Sequence, residues 1–204
     1  MYIDYTAEQR ALRDQLRDYF AALMTPELQE ESETSEGGGP HYRKALHKMG
    51  ADGWLGIGWP KEFGGQGRSI IEQFIFSDEV QRAGFPLPFL TINSVGPTIM
   101  RYGSAEQKAE FLPRILRGDV HFAIGYSEPS AGTDLASLRT RAVRDGDSYV
   151  INGSKVFTSL AEFSDYVWLA ARTDPDAKRG LAGSGFVASR MDAGIVARFS
   201  QRGR

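Results

Sequence analysis

The sequence predicts an α+β fold in which an all-helical N-terminal domain is followed by a small antiparallel, β-barrel-like domain. Capping boxes begin amphipathic segments in the first part of the chain, and an Asp-Gly turn between two β-rich runs marks the second part. The apolar period changes at Gly118, after which apolar residues alternate rather than recur every three or four positions. We therefore expect a helical domain over residues 1–118 and a β domain over residues 119–204.

Three capping boxes predict where helices begin in the first domain. In each box Ser or Thr stands three residues before Gln or Glu, so that the two side chains can satisfy backbone N–H groups of the first turn. Apolar residues follow each box at helical spacing, as Leu12, Leu16 and Leu23 do after the first box. The boxes are formed by Thr6 and Gln9, by Ser69 and Glu72, and by Ser104 and Gln107.

The segments between the boxes differ in character. A helix is expected through Leu46 that stops near Gly50, and another from about Thr91 to Tyr102. Residues 30–40 are rich in Ser, Glu and Gly, which predicts an exposed, mobile loop. Residues 53–60 contain four helix breakers in eight positions, which excludes a regular helix there.

β-Rich runs follow in the second domain. Asp145-Gly146 lies between residues 141–143 and residues 149–151, and this dipeptide favours the tight turn of a β-hairpin. Residues 155–158 and 166–171 are rich in β-branched and aromatic side chains, so each is expected to form a strand.

Bulk composition excludes several classes of function. The formal net charge of -2 and a pI near 6.0 leave no basic excess that would attract nucleic acid or an anionic membrane. Cysteine is absent, which excludes disulfides and thiolate metal sites, and the histidines at positions 41, 47 and 121 lack metal-ligand spacing, so no metal is expected. The N-terminus lacks the basic and apolar regions of a secretory signal, and a cytoplasmic location is expected.

The loop over residues 126–134 is the first candidate for chemistry. It follows a predicted strand and holds small residues, a proline and a glycine, so successive backbone N–H groups can face an anion. Ser127 and Thr133 add hydroxyl donors. The same composition also suits a turn-rich connection that Thr133 and Asp134 cap, so binding of a cofactor phosphate and a plain turn both remain open.

A second candidate is the segment over residues 155–159, which follows a turn at Asn152-Gly153. In this segment Phe157 is followed by the hydroxyls of Thr158 and Ser159. An aromatic residue at such a strand end could lie against a flat cofactor ring. The alternative is a half-buried strand with Phe157 in the core, which is the commoner place for phenylalanine.

Four motifs stand in order along the chain, and together they resemble the N-terminal and middle domains of acyl-CoA dehydrogenases over roughly residues 5–175. A single motif would be weak, but four in one order are specific. Residues 88–100 look closest to the members that act on steroid side-chain CoA thioesters in actinobacteria. The motifs are Trp59-Pro60-x-Glu62-Phe63-Gly64-Gly65-x-Gly67, Ser104-x-Glu106-Gln107-Lys108 with Leu112-Pro113 and Gly118, Ser127-Glu128-Pro129-x-Ala131-Gly132-Thr133-Asp134, and Asn152-Gly153-x-Lys155 with Phe157-Thr158-Ser159.

The resemblance implies that the β domain binds FAD and that the protein dehydrogenates an acyl-CoA thioester at Cα–Cβ to the 2-enoyl-CoA. In such enzymes a glutamate removes the α proton, the β hydrogen leaves as hydride to flavin N5, and an electron-transferring flavoprotein reoxidises the flavin. Hydrogen bonds to the thioester oxygen must stabilise the developing enolate, whereas the cofactor carries the redox chemistry. The cofactor-binding residues implied by the resemblance are Tyr126, Ser127, Gly132, Thr133, Phe157, Thr158 and Ser159.

Each of these residues has an implied place around the flavin. Backbone and hydroxyl groups of residues 126–127 would meet the polar edge of the ring, and residues 132–133 would approach the pyrophosphate or the neighbouring acyl-CoA. Phe157 and Ser159 would pack beside the ring, with Ser159 near N5. The family usually has tryptophan at the position of Phe157 and threonine at that of Ser159, so the aromatic face and the hydroxyl are kept while the indole N–H is lost.

The family continues with a C-terminal four-helix domain that supplies the catalytic glutamate, holds the acyl chain and makes the oligomer contacts. This sequence ends at Arg204 without it, so that domain and the base are expected to be missing and no catalytic residue is assigned. Glu128 is a candidate base, but its place before Pro129 in a tight loop favours a structural role. The tail from about residue 179 holds either two more strands, over residues 185–188 and 194–197, or a poorly folded end.

Three functions therefore remain open. The first is an acyl-CoA dehydrogenase, as a truncated chain or as one part of a homo- or hetero-oligomer. The second is a non-catalytic partner subunit that binds flavin or acyl-CoA. The third is a related oxidase or monooxygenase, because oxygen reactivity depends on solvent access to the reduced flavin.

Overall fold

The computed structural model describes residues 4–34, 38–146 and 148–173, together with the backbone of residues 184–189. The chain divides into two compact units, Met1–Asp119 and Val120–Arg204. The predicted fold class is confirmed, since the first unit is helical and the second contains a small β structure.

Six α-helices form the described part of the first unit. Two 3-10 turns, Trp54–Gly56 and Lys61–Phe63, occupy the glycine-rich stretch that excluded a regular helix, and a π-helical turn, Thr91–Val95, directly precedes the fifth helix. The α-helices are α1 (Ala7–Leu23), α2 (Pro26–Thr34), α3 (Pro40–Ala51), α4 (Ile70–Arg82), α5 (Gly96–Tyr102) and α6 (Ala105–Leu116).

The three predicted capping boxes are confirmed, and they begin α1, α4 and α6. At the first box the Gln9 backbone N–H donates to the Thr6 hydroxyl at 3.3 Å, and the Thr6 backbone N–H donates to the Gln9 side-chain oxygen at 3.0 Å. Each such exchange satisfies two backbone donors that the helix geometry leaves without a partner. Local sequence therefore sets the start of half of these helices.

The prediction of a loop over residues 30–40 is wrong for residues 30–34, which belong to α2. The Glu31 carboxylate explains why an acidic segment is helical here. It accepts the backbone N–H groups of His41 and Tyr42 at 3.1 and 2.6 Å, and so caps the start of α3, which follows a glycine that offers no side-chain cap. This contact spans ten residues, so a local reading of composition misses it.

The predicted helix from about Thr91 to Tyr102 is present, but its first turn is π-helical. The Trp59 indole N–H donates to the Ile92 carbonyl at 3.0 Å, so the wider turn keeps this buried donor satisfied. Gly96 faces the same ring, and a Cβ there would clash with the Trp59 side chain. The glycine is therefore required by close approach of the indole.

The second unit has five described strands, which form two sheets. The first sheet has the order β1-β4-β5, with β1 and β4 parallel and β4 and β5 antiparallel. The second is the predicted hairpin of β2 and β3, in which Asp145 lies opposite Ser148 and Gly146 has a φ of 60°. The strands are β1 (Phe122–Gly125), β2 (Arg141–Asp145), β3 (Ser148–Asn152), β4 (Tyr166–Ala171) and β5 (Ser184–Ser189).

Four strand predictions have different outcomes. The strands over residues 166–171 and 185–188 are confirmed by β4 and β5. The strand over residues 155–158 is wrong, because this segment has no regular structure. The possible strand over residues 194–197 lies outside the described residues.

None of the helices in the described part of the chain combines the length and apolarity that a bilayer crossing requires.

We expect the Leu16→Ala substitution to lower the free energy of unfolding of the helical unit by ~2–5 kcal/mol, because it removes a fully buried side chain and leaves a cavity. The same substitution at Leu90, which is 46% exposed, should cost less than about 1 kcal/mol. Urea unfolding followed by circular dichroism at the helical band measures both. Equal losses in the two variants would contradict the burial pattern.

Candidate functional site

The loop after β1 closes on itself in a tight turn. The Glu128 backbone N–H donates to the Ala131 carbonyl at 2.7 Å, and the Ala131 N–H donates back to the Glu128 carbonyl at 3.1 Å. Ala131 is buried, while Pro129 and Ser130 lie exposed at the tip of the turn. The loop is thus an ordered structure, and it presents its tip to solvent.

The Glu128 carboxylate lies beneath this turn and holds three donors. It accepts the backbone N–H of Arg139 at 2.6 Å, the backbone N–H of Thr140 at 2.8 Å and the Lys155 ammonium at 2.9 Å. Both charged side chains are largely buried, at 4% exposed for Glu128 and 11% for Lys155. The carboxylate therefore ties together three separate stretches of the β unit.

These contacts decide the charge of Glu128. Burial raises the pKa of a carboxyl group, because a charge is poorly solvated away from water. Hydrogen bonds from Thr140, from the Arg139 backbone and from Lys155 outweigh burial here and lower the pKa of Glu128 from 4.5 to about 2. A carboxylate with so low a pKa is a poor proton acceptor, so the structure supports the structural role that its place before Pro129 indicated.

The second candidate segment lies directly beside the loop. The Lys155 ammonium donates to the Tyr126 carbonyl at 3.0 Å in addition to its bond with Glu128, and the Val156 backbone N–H donates to the Ser127 carbonyl at 3.0 Å. Residues 126–128 and 155–156 are therefore neighbours, although about thirty positions of chain separate them. The structure brings together the two segments that the sequence singled out separately.

Phe157 stands just beyond this junction with its side chain in solvent. The residue is 90% exposed and has a φ of 57°. Leu160 has a φ of 62°, and these two are the non-glycine residues with a left-handed backbone in the described part of the chain. Such a conformation costs ~1–2 kcal/mol per residue, and strain of this kind concentrates at functional sites. The alternative of a half-buried strand with Phe157 in the core is therefore wrong.

The other predicted site residues lie in the same two segments as Phe157 and the loop tip. Thr158 is half-buried and Ser159 is exposed, whereas Tyr126 and Ser127 are both half-buried beside the junction. Gly132 and Thr133 are exposed, and the described residues provide no hydrogen-bond acceptor for their backbone N–H groups. No hydrogen bond within the described chain connects these two residues to the segment 157–159. The described residues thus leave the backbone N–H groups of Gly132 and Thr133 without an acceptor at the loop, and the exposed ring of Phe157 lies in a separate segment.

A Cβ added at Gly132 would meet nothing within 4 Å. The fold of this unit therefore does not itself demand glycine at that position, and its lack of a side chain leaves the backbone open from outside. Gly153 is different, because a Cβ there would clash with Thr140. One glycine serves internal packing, and the other keeps a surface accessible.

Sequence reasoning missed the residues that support the site. The sequence places Lys155 in a motif but indicates no role for it, and it gives no signal at residues 139–140. One signal points to Lys155. The motif of the loop contains an acidic residue, Glu128, and the motif after Asn152-Gly153 contains a basic one, so the two could form an ion pair. No group of three or more metal-binding side chains occurs among the described residues.

We expect Glu128 to make the stability of the β unit depend on pH. Its folded pKa of about 2 lies below the ordinary 4.5, so its contribution is complete above pH 4.5 and is lost as the pH falls towards 2. The loss should be on the order of 3 kcal/mol, since each pKa unit corresponds to about 1.4 kcal/mol. Urea unfolding at several pH values would measure it for the wild type and for Glu128→Gln.

The variant should be less stable than the wild type near neutral pH, and the gap should close in acid. The exposed residue Glu162 provides the control, because Glu162→Gln should keep the pH dependence of the wild type. Parallel curves for the wild type and Glu128→Gln would show that the Glu128 carboxylate carries no such linkage.

Two family models match this chain. The model described as the acyl-CoA dehydrogenase N-terminal domain matches residues 6–119, and the one described as the acyl-CoA dehydrogenase middle domain matches residues 123–201. Acyl-CoA dehydrogenase FadE26 of Mycobacterium tuberculosis is 62% identical over 179 residues, which are 86% of this chain and 45% of that protein.

Solved structures agree with the family models. A chain of the ChsE4-ChsE5 complex from Mycobacterium tuberculosis is 59% identical with a TM-score of 0.87, over 93% of this chain and 48% of that one. A chain of the Tcur3481-Tcur3483 steroid ACAD is 55% identical with a TM-score of 0.86, over 93% and 49%. A glutaryl-CoA dehydrogenase from Mycobacterium smegmatis in complex with FADH2 is 26% identical with a TM-score of 0.73, over 91% and 46%.

The chain spans about half the length of the relatives it matches. Within that span the two family models cover both structural units, and the motifs singled out in the sequence fall inside them. The chain therefore belongs to the acyl-CoA dehydrogenase family.

Proposed function

We propose that this chain is the flavin-binding part of an enzyme that dehydrogenates an acyl-CoA thioester at Cα–Cβ to the 2-enoyl-CoA. The observation that carries the proposal is the junction of residues 126–128 with residues 155–156, beside which Phe157 is held outward. Family membership supports it, because acyl-CoA dehydrogenases are flavoprotein oxidoreductases of fatty acid or steroid degradation.

The residues at the junction, in the loop and around Phe157 suit the different parts of a flavin cofactor. An exposed phenylalanine offers an apolar face for a flat ring system, and the hydroxyls of Thr158 and Ser159 follow it directly. The free backbone N–H groups of Gly132 and Thr133 suit the negatively charged pyrophosphate of FAD. We assign the backbone and hydroxyl groups of residues 126–127 to the polar edge of the ring.

Each part of the chain then has a separable task. When bound, FAD supplies the hydride acceptor. Phe157 excludes water from one side of the ring and orients it, while residues 158–159 offer donors near its reactive edge. Glu128 keeps its negative charge and maintains the loop, so we propose that the acceptor of the α proton lies outside the described residues.

The substrate and partners follow from the relatives. Two of the solved structures are complexes of two named chains, and one of these is a steroid ACAD, so we propose a steroid-derived acyl-CoA as substrate and a second, homologous chain as partner. An electron-transferring flavoprotein is the proposed electron acceptor, as in the family.

The same complexes favour a second candidate function. Among the described residues, the buried glutamate of the loop is held in an ion pair, and a subunit of this kind could act as a non-catalytic partner that binds flavin or acyl-CoA for its neighbour. Activity measured after mixing with a homologous chain, in which either chain carries a disabling substitution, separates a catalytic contribution from a purely binding one.

We expect titration of the purified chain with FAD to perturb the visible flavin spectrum, because the loop and the aromatic face are already ordered. The Thr133→Ala/Phe157→Ala variant should abolish this change by removing the hydroxyl and the aromatic wall. Phe89→Ala provides a matched control, since Phe89 is an exposed phenylalanine of the helical unit, and it should bind as the wild type does.

A double variant that perturbs the flavin spectrum as strongly as the wild type does would refute the assignment of the site. A wild-type chain that leaves the flavin spectrum unchanged would count against the proposed function itself.

A further inference from the structure

We propose that Lys155 is a positioning residue, which acts through its ion pair with Glu128 to hold the following turn so that Phe157 faces outward. The positioning concerns this chain alone, and only its consequence for flavin binding rests on the proposed function. The Lys155 ammonium has three hydrogen-bond donors, and two of them have identified acceptors, the Glu128 carboxylate and the Tyr126 carbonyl.

These two bonds fix the backbone just before the strained residue. Val156 adds a third attachment through its N–H to the Ser127 carbonyl, so Phe157 follows a segment that is anchored at two successive positions. On the other side, the Ala161 N–H donates to the Thr158 carbonyl at 3.3 Å. The left-handed turn thus follows an anchored segment and contains a local hydrogen bond of its own.

The strain explains why the anchors are needed. A phenylalanine with a φ of 57° would relax to negative φ if its neighbours permitted it, since the left-handed form is disfavoured for residues with a Cβ. Phe157 has no burial of its own to hold it, because its side chain is 90% exposed. The force that opposes relaxation must therefore come from the segment before it and the turn after it.

The charge on Lys155 also determines whether its partner can stay buried. Glu128 would keep two backbone donors without Lys155, but it would lose the only cationic side chain that contacts it among the described residues. Removing one partner of a buried pair destabilises strongly, whereas removing both charges avoids an uncompensated one. The informative variant is therefore Lys155→Met/Glu128→Gln, with Lys155→Met beside it.

Hydrogen exchange of the ligand-free chain, read by mass spectrometry, tests the positioning. We expect peptides that cover residues 156–161 to exchange at least about 10-fold faster in the double variant, because local opening becomes easier, while the helices keep their protection. Lys48→Met is the matched control. Its ion pair with Asp52 has a similar N–O distance of 2.8 Å but is largely exposed, and the exchange of residues 156–161 should not change.

Titration with FAD then tests the consequence for the site. If the wild type binds, the double variant should bind about 10-fold more weakly, as expected when a preformed contact must be ordered on binding. Unchanged exchange of residues 156–161 in the double variant would overturn the proposal. So would loss of the far-ultraviolet dichroism of the double variant, which would reveal a general structural role. Faster exchange with unaltered FAD affinity would refute the consequence for flavin binding and leave the positioning supported.

A wild-type chain that does not bind FAD would refute the proposed function and leave the exchange result to decide the role of Lys155.

Discussion

The structure of the β unit depends on a single buried carboxylate. Glu128 gathers two backbone N–H groups and one ammonium from chain segments eleven to twenty-seven residues away, and it does so directly beneath a turn that two reciprocal backbone bonds close. The buried negative charge is tolerated because these three donors all form hydrogen bonds with it. The same donors keep it ionised, which removes it from proton transfer and makes it part of the framework.

Local signals in the sequence predict the features of the fold that depend on residues close together in the chain. Capping boxes and the Asp-Gly hairpin are of this kind, and both are present as expected. Features that depend on distant contacts were missed. The helix α2 is supported by the bond of Glu31 to the start of α3, and the parallel pairing of β1 with β4 joins strands some forty positions apart.

The candidate site shows the same division. The loop after β1 and the segment around Phe157 were singled out from their residue types and from a family resemblance, and the structure brings them side by side. The direction of the Phe157 side chain could not be read from the sequence. A pattern of β-branched and aromatic residues predicts a strand, whereas anchors from Lys155 and Val156 impose a left-handed turn.

The outward ring has a consequence for how tightly a flat ligand can be held. A turn whose backbone is already held in one conformation does not have to be ordered when a planar partner stacks on the ring, so more of the stacking energy appears as affinity. The stability of the surrounding β framework keeps the turn in its disfavoured shape before any ligand arrives. Loosening that framework at a distance from the ring would therefore weaken recognition without altering a single atom at the contact surface.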